Sequence, residues 1–179
     1  MYVGDTYIRR GLLTAIEASK ELSKKIKNYK LVIVGNSTTD FILKRKVEEL
    51  QIDKFVDFEG WQDLSLFPSY IKSSAICISP LHRNLHHDTT YANKIFQYMS
   101  LGKPLLVSDA TAQKEIVEIS HTGLVHEEKN IQDFRDKVLE IYSNPKLSED
   151  FGKHGVEFVK TKFSWEITSR DLVKLYDEI

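Results

Sequence analysis

Short apolar runs separated by longer amphipathic stretches constrain the fold of this chain more than any other feature. The runs are Tyr2-Val3, Leu31-Val32-Ile33-Val34, Phe55-Val56-Asp57-Phe58, Ala75-Ile76-Cys77-Ile78, Leu105-Leu106-Val107 and Leu124-Val125. Each suits a buried strand and is too short to build a helix by itself. Between the first two, Leu12, Leu13, Ile16, Leu22 and Ile26 return at nearly helical spacing, while Lys20, Glu21, Lys24 and Lys25 mark a solvated face. Phe41, Ile42, Val47 and Leu50 repeat that pattern after the second run. Strands alternating with such helices predict a Rossmann-like α/β fold, a doubly wound parallel sheet of about six strands with helices on both faces. Right-handed crossovers then bring every strand's carboxyl end to one edge, where loops carry function.

After about residue 130 the strand signal stops, and C-terminal helices are predicted. Ile131, Phe134, Val138, Leu139 and Tyr142 outline one. Asn144-Pro145 opens the next, because Asn satisfies an orphan N–H and Pro presets the first turn. That helix runs toward Val159 with a weak spot at Gly152 and Gly155, and a last one follows Ser164 with Trp165, Leu172, Val173 and Tyr176 as its apolar face.

A length of 179 residues at 41% hydrophobic composition fits one domain, 1–179, around one substantial core. The 25 basic and 26 acidic side chains cancel, which removes the global field that non-specific nucleic-acid binding needs. The single Cys77 sits in an apolar run, so a buried thiol is expected and a disulfide framework is excluded. No leader opens the chain and no apolar run approaches a membrane span, which predicts a cytoplasmic protein without a transmembrane segment.

The chemistry concentrates between Tyr91 and Asp109. A polar loop, a helix ending at Gly102, Pro104, an apolar strand and Ser108-Asp109 follow one another there, in the arrangement by which open α/β sheets bind ligands. The start of the helix, Ala92 to Lys94, offers unpaired backbone N–H groups and an amine to an anion. Gly4 follows the first strand and Arg9-Arg10-Gly11 opens the first helix, a second place for phosphates, although both glycines read equally well as turn residues. Neither a three-glycine dinucleotide fingerprint nor a phosphate loop ending in Gly-Lys-Ser/Thr occurs, so redox-cofactor and ATP-hydrolysis sites lack their marks.

Glu59-Gly60-Trp61-Gln62 places an aromatic ring at the same edge, able to stack on a base or simply to pack on the sheet rim. The loop Pro80 to Thr90 holds His82, Arg83, Asn84, His86, His87, Asp88, Thr89 and Thr90, more polar than a connection needs. Adjacent histidines without spaced partners argue against a metal. On the following helix Ala92, Ile95, Phe96 and Met99 form the buried side, and Lys94 and Gln97 share another, solvated or facing a ligand. His121, His126 and His154 read as surface or turn histidines, and no nucleophile elbow of the Gly-x-Ser-x-Gly type occurs.

In order and spacing these segments resemble the carboxyl-terminal, donor-binding domain of GT-B glycosyltransferases, most similar to the retaining family 4, glycosyl transferases group 1. The likeness rests on Tyr2-Val3-Gly4 with Arg10-Gly11, Leu31 to Gly35, Phe58-Glu59-Gly60, Asn93 to Met99 with Gly102-Lys103-Pro104 and Ser108-Asp109, Glu115-Ile116-Val117 with Thr122-Gly123-Leu124, and Phe163 to Glu166. It implies a hexosyltransferase-type enzyme of polysaccharide or glycolipid assembly whose donor is a nucleotide-diphosphate sugar, with no further cofactor and no metal. Gly4 and Arg10 would face the pyrophosphate, Gly60 and Trp61 the base, Thr89 to Lys94 (Thr90, Asn93 and Lys94 among them) the phosphates and sugar, and Gln97 the ribose, with His87 also counted as donor-binding.

This sequence departs from the family where two glutamates are usual. Thr89 and Gln97 stand there, which makes Asp88 and Thr89 the candidate catalytic residues, with His87 as another substitute for the missing charge. Asp5 replaces a common basic residue after the first strand. The family pairs this domain with a preceding one that holds a glycan or lipid-linked acceptor, so the chain alone is expected to bind donor without transferring sugar, at most peripheral to the cytoplasmic membrane face. Two alternatives are a non-catalytic binding or scaffold domain of the same fold and half of a nucleotide-sugar epimerase.

Overall fold

The computed structural model describes residues 1–178. Strands β1 (Tyr2–Val3), β2 (Leu31–Val34) and β3 (Val56–Gly60) form one parallel sheet with β2 in the middle, and β4 (Cys77–Ser79), β5 (Leu105–Ser108) and β6 (Gly123–His126) form another around β5. The Ile78 N–H donates to the Met1 carbonyl at 2.9 Å and joins the β1 edge to the β4 edge. Across both halves the order is therefore β3-β2-β1-β4-β5-β6, the doubly wound arrangement the sequence predicts.

Successive strand residues point to opposite faces, and this period builds two apolar layers. Tyr2, Ile33, Ile78 and Leu106 turn toward helices α1 (Leu12–Lys25), α2 (Asp40–Leu50) and α7 (Ile131–Ser143), where they meet Leu12, Ile16, Leu43, Phe134 and Ile141. Val3, Val34, Cys77, Leu105 and Val107 turn the other way. They meet Ile71 of α3 (Phe67–Lys72), Ile95, Tyr98 and Met99 of α5 (Asn93–Ser100), and Ile116 and Val117 of α6 (Thr111–Ser120). Cys77 is buried and free, and burial pushes its thiol up to about 11.

Several local expectations need correction. The ladder of β4 begins at Cys77 and not Ala75, because its partner strand starts only after Pro104, whose carbonyl accepts the Cys77 N–H. β3 begins at Val56, since Phe55 closes a 3-10 turn, and it extends to Gly60. The polar loop after β4 contains a short helix, α4 (Leu85–Thr89), capped by the Asn84 side chain. His126 is not a surface residue: it is buried at the end of β6 with its ring edge-on to Phe134.

Helix α8 (Pro145–Phe158) starts as predicted, with Asn144 Oδ1 accepting from the Leu147 N–H and Pro145 in the first turn. Its glycines are packing positions and not a weak spot. A Cβ on Gly152 would lie 2.3 Å from the Gly102 carbonyl oxygen, and one on Gly155 would lie 3.1 Å from Met99 Cα. The last segment is divided into a π-helical turn (Val159–Phe163), α9 (Trp165–Thr168) and α10 (Arg170–Asp177). Its expected apolar face stays exposed among the described residues, with Trp165 at 73% and Tyr176 at 72%. No helix among the described residues is long and apolar enough to cross a membrane.

At an open helix site, replacing Gly by Ala stabilises by about 1 kcal/mol. At Gly152 the new methyl meets backbone that cannot yield, so Gly152→Ala is expected to lower stability by about 2 kcal/mol, read as a lower urea midpoint at unchanged slope.

Candidate functional site

Strand order reverses between β1 and β4, and there the sheet's carboxyl edge opens into a cleft of about 330 Å³. Such a reversal is where open α/β sheets leave room for a ligand, because crossovers leave it in opposite directions. The walls come from the β1 end (Gly4, Asp5), Arg10, the loop after β4 (His86, His87, Thr90, Tyr91) and the α5 start (Asn93, Lys94, Gln97).

Two helices begin near this cleft, and only one is open. Gly11, at φ 74°, heads α1, but a Cβ there would come within 1.6 Å of the Pro80 carbonyl oxygen, and the His82 N–H donates to the Arg9 carbonyl at 3.0 Å. The backbone after β4 thus lies across the start of α1. Helix α5 has Ala92 at its cap, no side chain satisfies its first N–H groups, and Asn93 and Lys94 line the cleft. The open helix start and its positive dipole end are therefore those of α5.

Lys94 is half-buried and lines the cleft. Nζ lies 3.6 Å from the centroid of the Tyr2 ring, and the Tyr2 hydroxyl donates to the Asp5 carbonyl at 2.5 Å. A Cβ on Gly4 would sit 3.1 Å from this amine, so the glycine at φ 123° leaves the space Lys94 occupies. Nζ has no hydrogen-bond or ion-pair partner among the described residues. Burial, then the nearby Arg10, holds its pKa well below the ordinary lysine range, with Asp5 opposing. An arriving anion would reverse that shift.

Arg10 stands opposite, largely buried, with Nε 3.1 Å from Asp5 Oδ2 and Nη1 3.4 Å from His87 Nε2. Asp5, which replaces a basic residue of the family pattern, thus orients the arginine. His87 is buried at 2% exposure. Burial lowers its pKa most; the His82 carbonyl acts against this, and Arg10, His86 and Arg9 lower it further.

The structure brings Gly4, Arg10, His87, Thr90, Asn93, Lys94 and Gln97 together. It leaves Asp88, Thr89, Gly60 and Trp61 out of the cleft lining. Asp88 Oδ1 accepts from the Thr111 N–H at 2.9 Å and from Arg83 Nε at 3.2 Å, so this carboxylate caps α6, and the Thr111 N–H holds its pKa down. The Thr89 hydroxyl donates to the Leu85 carbonyl of its own turn at 2.7 Å. The Gly60 carbonyl accepts from the Gly35 N–H, and Trp61 projects at 73% exposure. Tyr2, the floor under Lys94, was missed by sequence reasoning; the signal was a phenol in a buried strand, whose hydroxyl needs a partner.

The family model described as glycosyl transferases group 1 matches residues 1–158. The chain belongs to that family. It is 24% identical over 182 aligned residues to an uncharacterized glycosyltransferase of Methanocaldococcus jannaschii, covering 100% of this chain and 48% of that protein. Among solved structures it superposes on sucrose-phosphate synthase from Thermosynechococcus elongatus with a TM-score of 0.86 at 22% identity, over 99% of this chain and 44% of that one. It also superposes on Anabaena HepE, solved in complex with UDP, at 0.86 and 14% identity, over 99% and 48%. The GT-B architecture expected from sequence is the one these neighbours share. This group 1 chain spans about half the length of the curated relatives it matches.

The strained amine generates a prediction. The folded pKa of Lys94 lies below its unfolded value, so the unfolded state binds more protons between the two, and stability rises with pH across that window. Lys94→Met is expected to raise the stability of the ligand-free chain by roughly 1 kcal/mol at pH 7, a gain that shrinks toward about pH 10. Urea unfolding at several pH values measures it, and an unchanged difference across the series would contradict the assignment.

Proposed function

We propose that this chain is the donor-binding domain of a group 1 glycosyltransferase and that its cleft takes a nucleotide-diphosphate sugar. The observation that carries the reading is Lys94: an amine in the cleft lining without an ion pair, beside Arg10 and an uncapped helix start, is arranged for an anion that arrives from solution. The diphosphate spans Lys94, Arg10 and the N–H groups of Asn93 and Lys94, with His87 and Thr90 beside it. Gln97, one turn along α5, offers its amide to the ribose. The exposed Trp61 ring at the end of β3, with Gly60, is left to cover the base. HepE's complex with UDP supports a nucleotide on this fold.

As the bond from the sugar to the diphosphate breaks, negative charge grows on the leaving oxygen, and Arg10 and Lys94 are placed to stabilise it. Transfer with retention to a glycan or lipid-linked acceptor is assigned to the complete enzyme, in which a second domain of comparable size closes on this one. Asp88 is committed to α6 and Thr89 to its own turn, so neither is proposed to act on the glycosidic bond. That same observation is what favours the second reading, a non-catalytic domain that binds nucleotide sugar. Asp5, already paired with Arg10, is the only acid in the lining among the described residues, which gives an epimerase half little support.

Isothermal titration with UDP, GDP and their glucose and mannose conjugates tests the reading. Saturable binding is expected, weakened at least about tenfold by either Arg10→Ala or Lys94→Ala while circular dichroism stays unchanged. No heat with any of these nucleotides, or variants that bind like the parent, would overturn it.

A further inference from the structure

His87 sits in the cleft wall, yet its environment fixes it as tightly as a core residue. Its Nδ1 lies 2.6 Å from the His82 carbonyl oxygen, which can only accept, and 3.0 Å from Asn84 Nδ2, which can only donate; the shorter contact, with Arg10 facing the other ring nitrogen, puts the ring proton on Nδ1. The His87 N–H donates to Asn84 Oδ1 at 2.9 Å, and Asn84 Nδ2 reaches the same His82 carbonyl at 3.2 Å, which locks the ring to the start of α4. The neutral ring then presents the Nε2 lone pair to Arg10 Nη1 at 3.4 Å, and the guanidinium can only donate. Asp5 holds the same guanidinium through Nε. The arginine is gripped at Nε and at Nη1, and Nη2 is left for a ligand.

We propose that His87 is a positioning residue, which acts as the neutral Nδ1–H tautomer and accepts from Arg10, so that the guanidinium turns its free edge toward the anion in the cleft. This rests on the nucleotide-binding reading for the identity of that anion. The contact is long for a hydrogen bond, and its weight lies in what it excludes. A proton on Nε2 would point at a cation. The charged and titratable groups around the ring are Arg10, Arg9, His86 and His82, with Asp5 behind Arg10, and the cations outnumber the acid. A packing histidine would have no reason to place its lone pair on the ligand's arginine.

Two measurements test it. The first needs no ligand: in histidine-selective NMR, His87 is expected to stay neutral to a pH below the ordinary histidine range, and Arg10→Ala should move its titration upward. The second is UDP titration. His87→Phe is expected to weaken binding about five- to tenfold, while His87→Gln, whose amide oxygen can stand where Nε2 did, stays within about twofold. In an Arg10→Ala background, His87→Phe should add no further loss. A His87 titration indifferent to Arg10→Ala overturns the inference whatever the nucleotide does, as does an equal loss from His87→Phe with and without Arg10. Failure of the parent chain to bind UDP would remove the anion reading, while the NMR arm still reports on the histidine–arginine contact.

Discussion

The seam between β1 and β4 governs the rest of this molecule. The Ile78 N–H reaches the Met1 carbonyl there, and one step further along β1 the Val3 N–H is accepted by the Tyr98 hydroxyl of α5 at 2.9 Å. A phenol stands where the neighbouring strand would otherwise be. Beyond that wedge the two strands have no common ladder, and the space above them is the cleft. Tyr98 is fully buried, and its ring anchors α5 to the seam through the same apolar layer that holds Val3 and Cys77. A backbone requirement, satisfying one buried N–H at a diverging edge, thus fixes where the helix start with Lys94 must lie.

Cations accumulate at this opening. Arg10 has Asp5 in direct contact, whereas Lys94 has the face of an aromatic ring and no ion pair among the described residues. Desolvated charge disfavours the folded state, and proteins tolerate it where a ligand supplies what is missing. The Tyr2 ring, the glycine at position 4 and the carboxylate at position 5 hold two basic side chains apart in a small volume, as the proposed anion site requires.

Much of this was legible in the sequence, for identifiable reasons. Runs such as Leu31 to Val34 and Leu105 to Val107 are apolar on both faces because their strands are covered on both faces, and few other structures produce that pattern. Asn144-Pro145 carries its own mechanism, and the helix begins there. Gly152 and Gly155 were misread because helix propensity is local, while the need for a bare Cα came from Gly102 and from Met99 of α5 across the interface. His126 was misread because a strand end gives no sign of the Phe134 ring beneath it. In the candidate site, the residues that the sequence ties to backbone position, Gly4 and Asn93-Lys94, line the cleft. Asp88 and Thr89 were not separable from their neighbours, because the rotation of the short helix α4 decides which side chains face the opening and one turn of polar sequence has no periodicity to reveal it.

The close approach of α8 to α5 has a mechanical consequence. With Gly155 against Met99 and Gly152 against Gly102 just past the helix end, the helix carrying Asn93 and Lys94 is backed by main chain at its carboxyl end and has little freedom to slide when something docks at its tip. Whatever binds there meets a seat already in its final shape, and little of the contact energy is spent on ordering it.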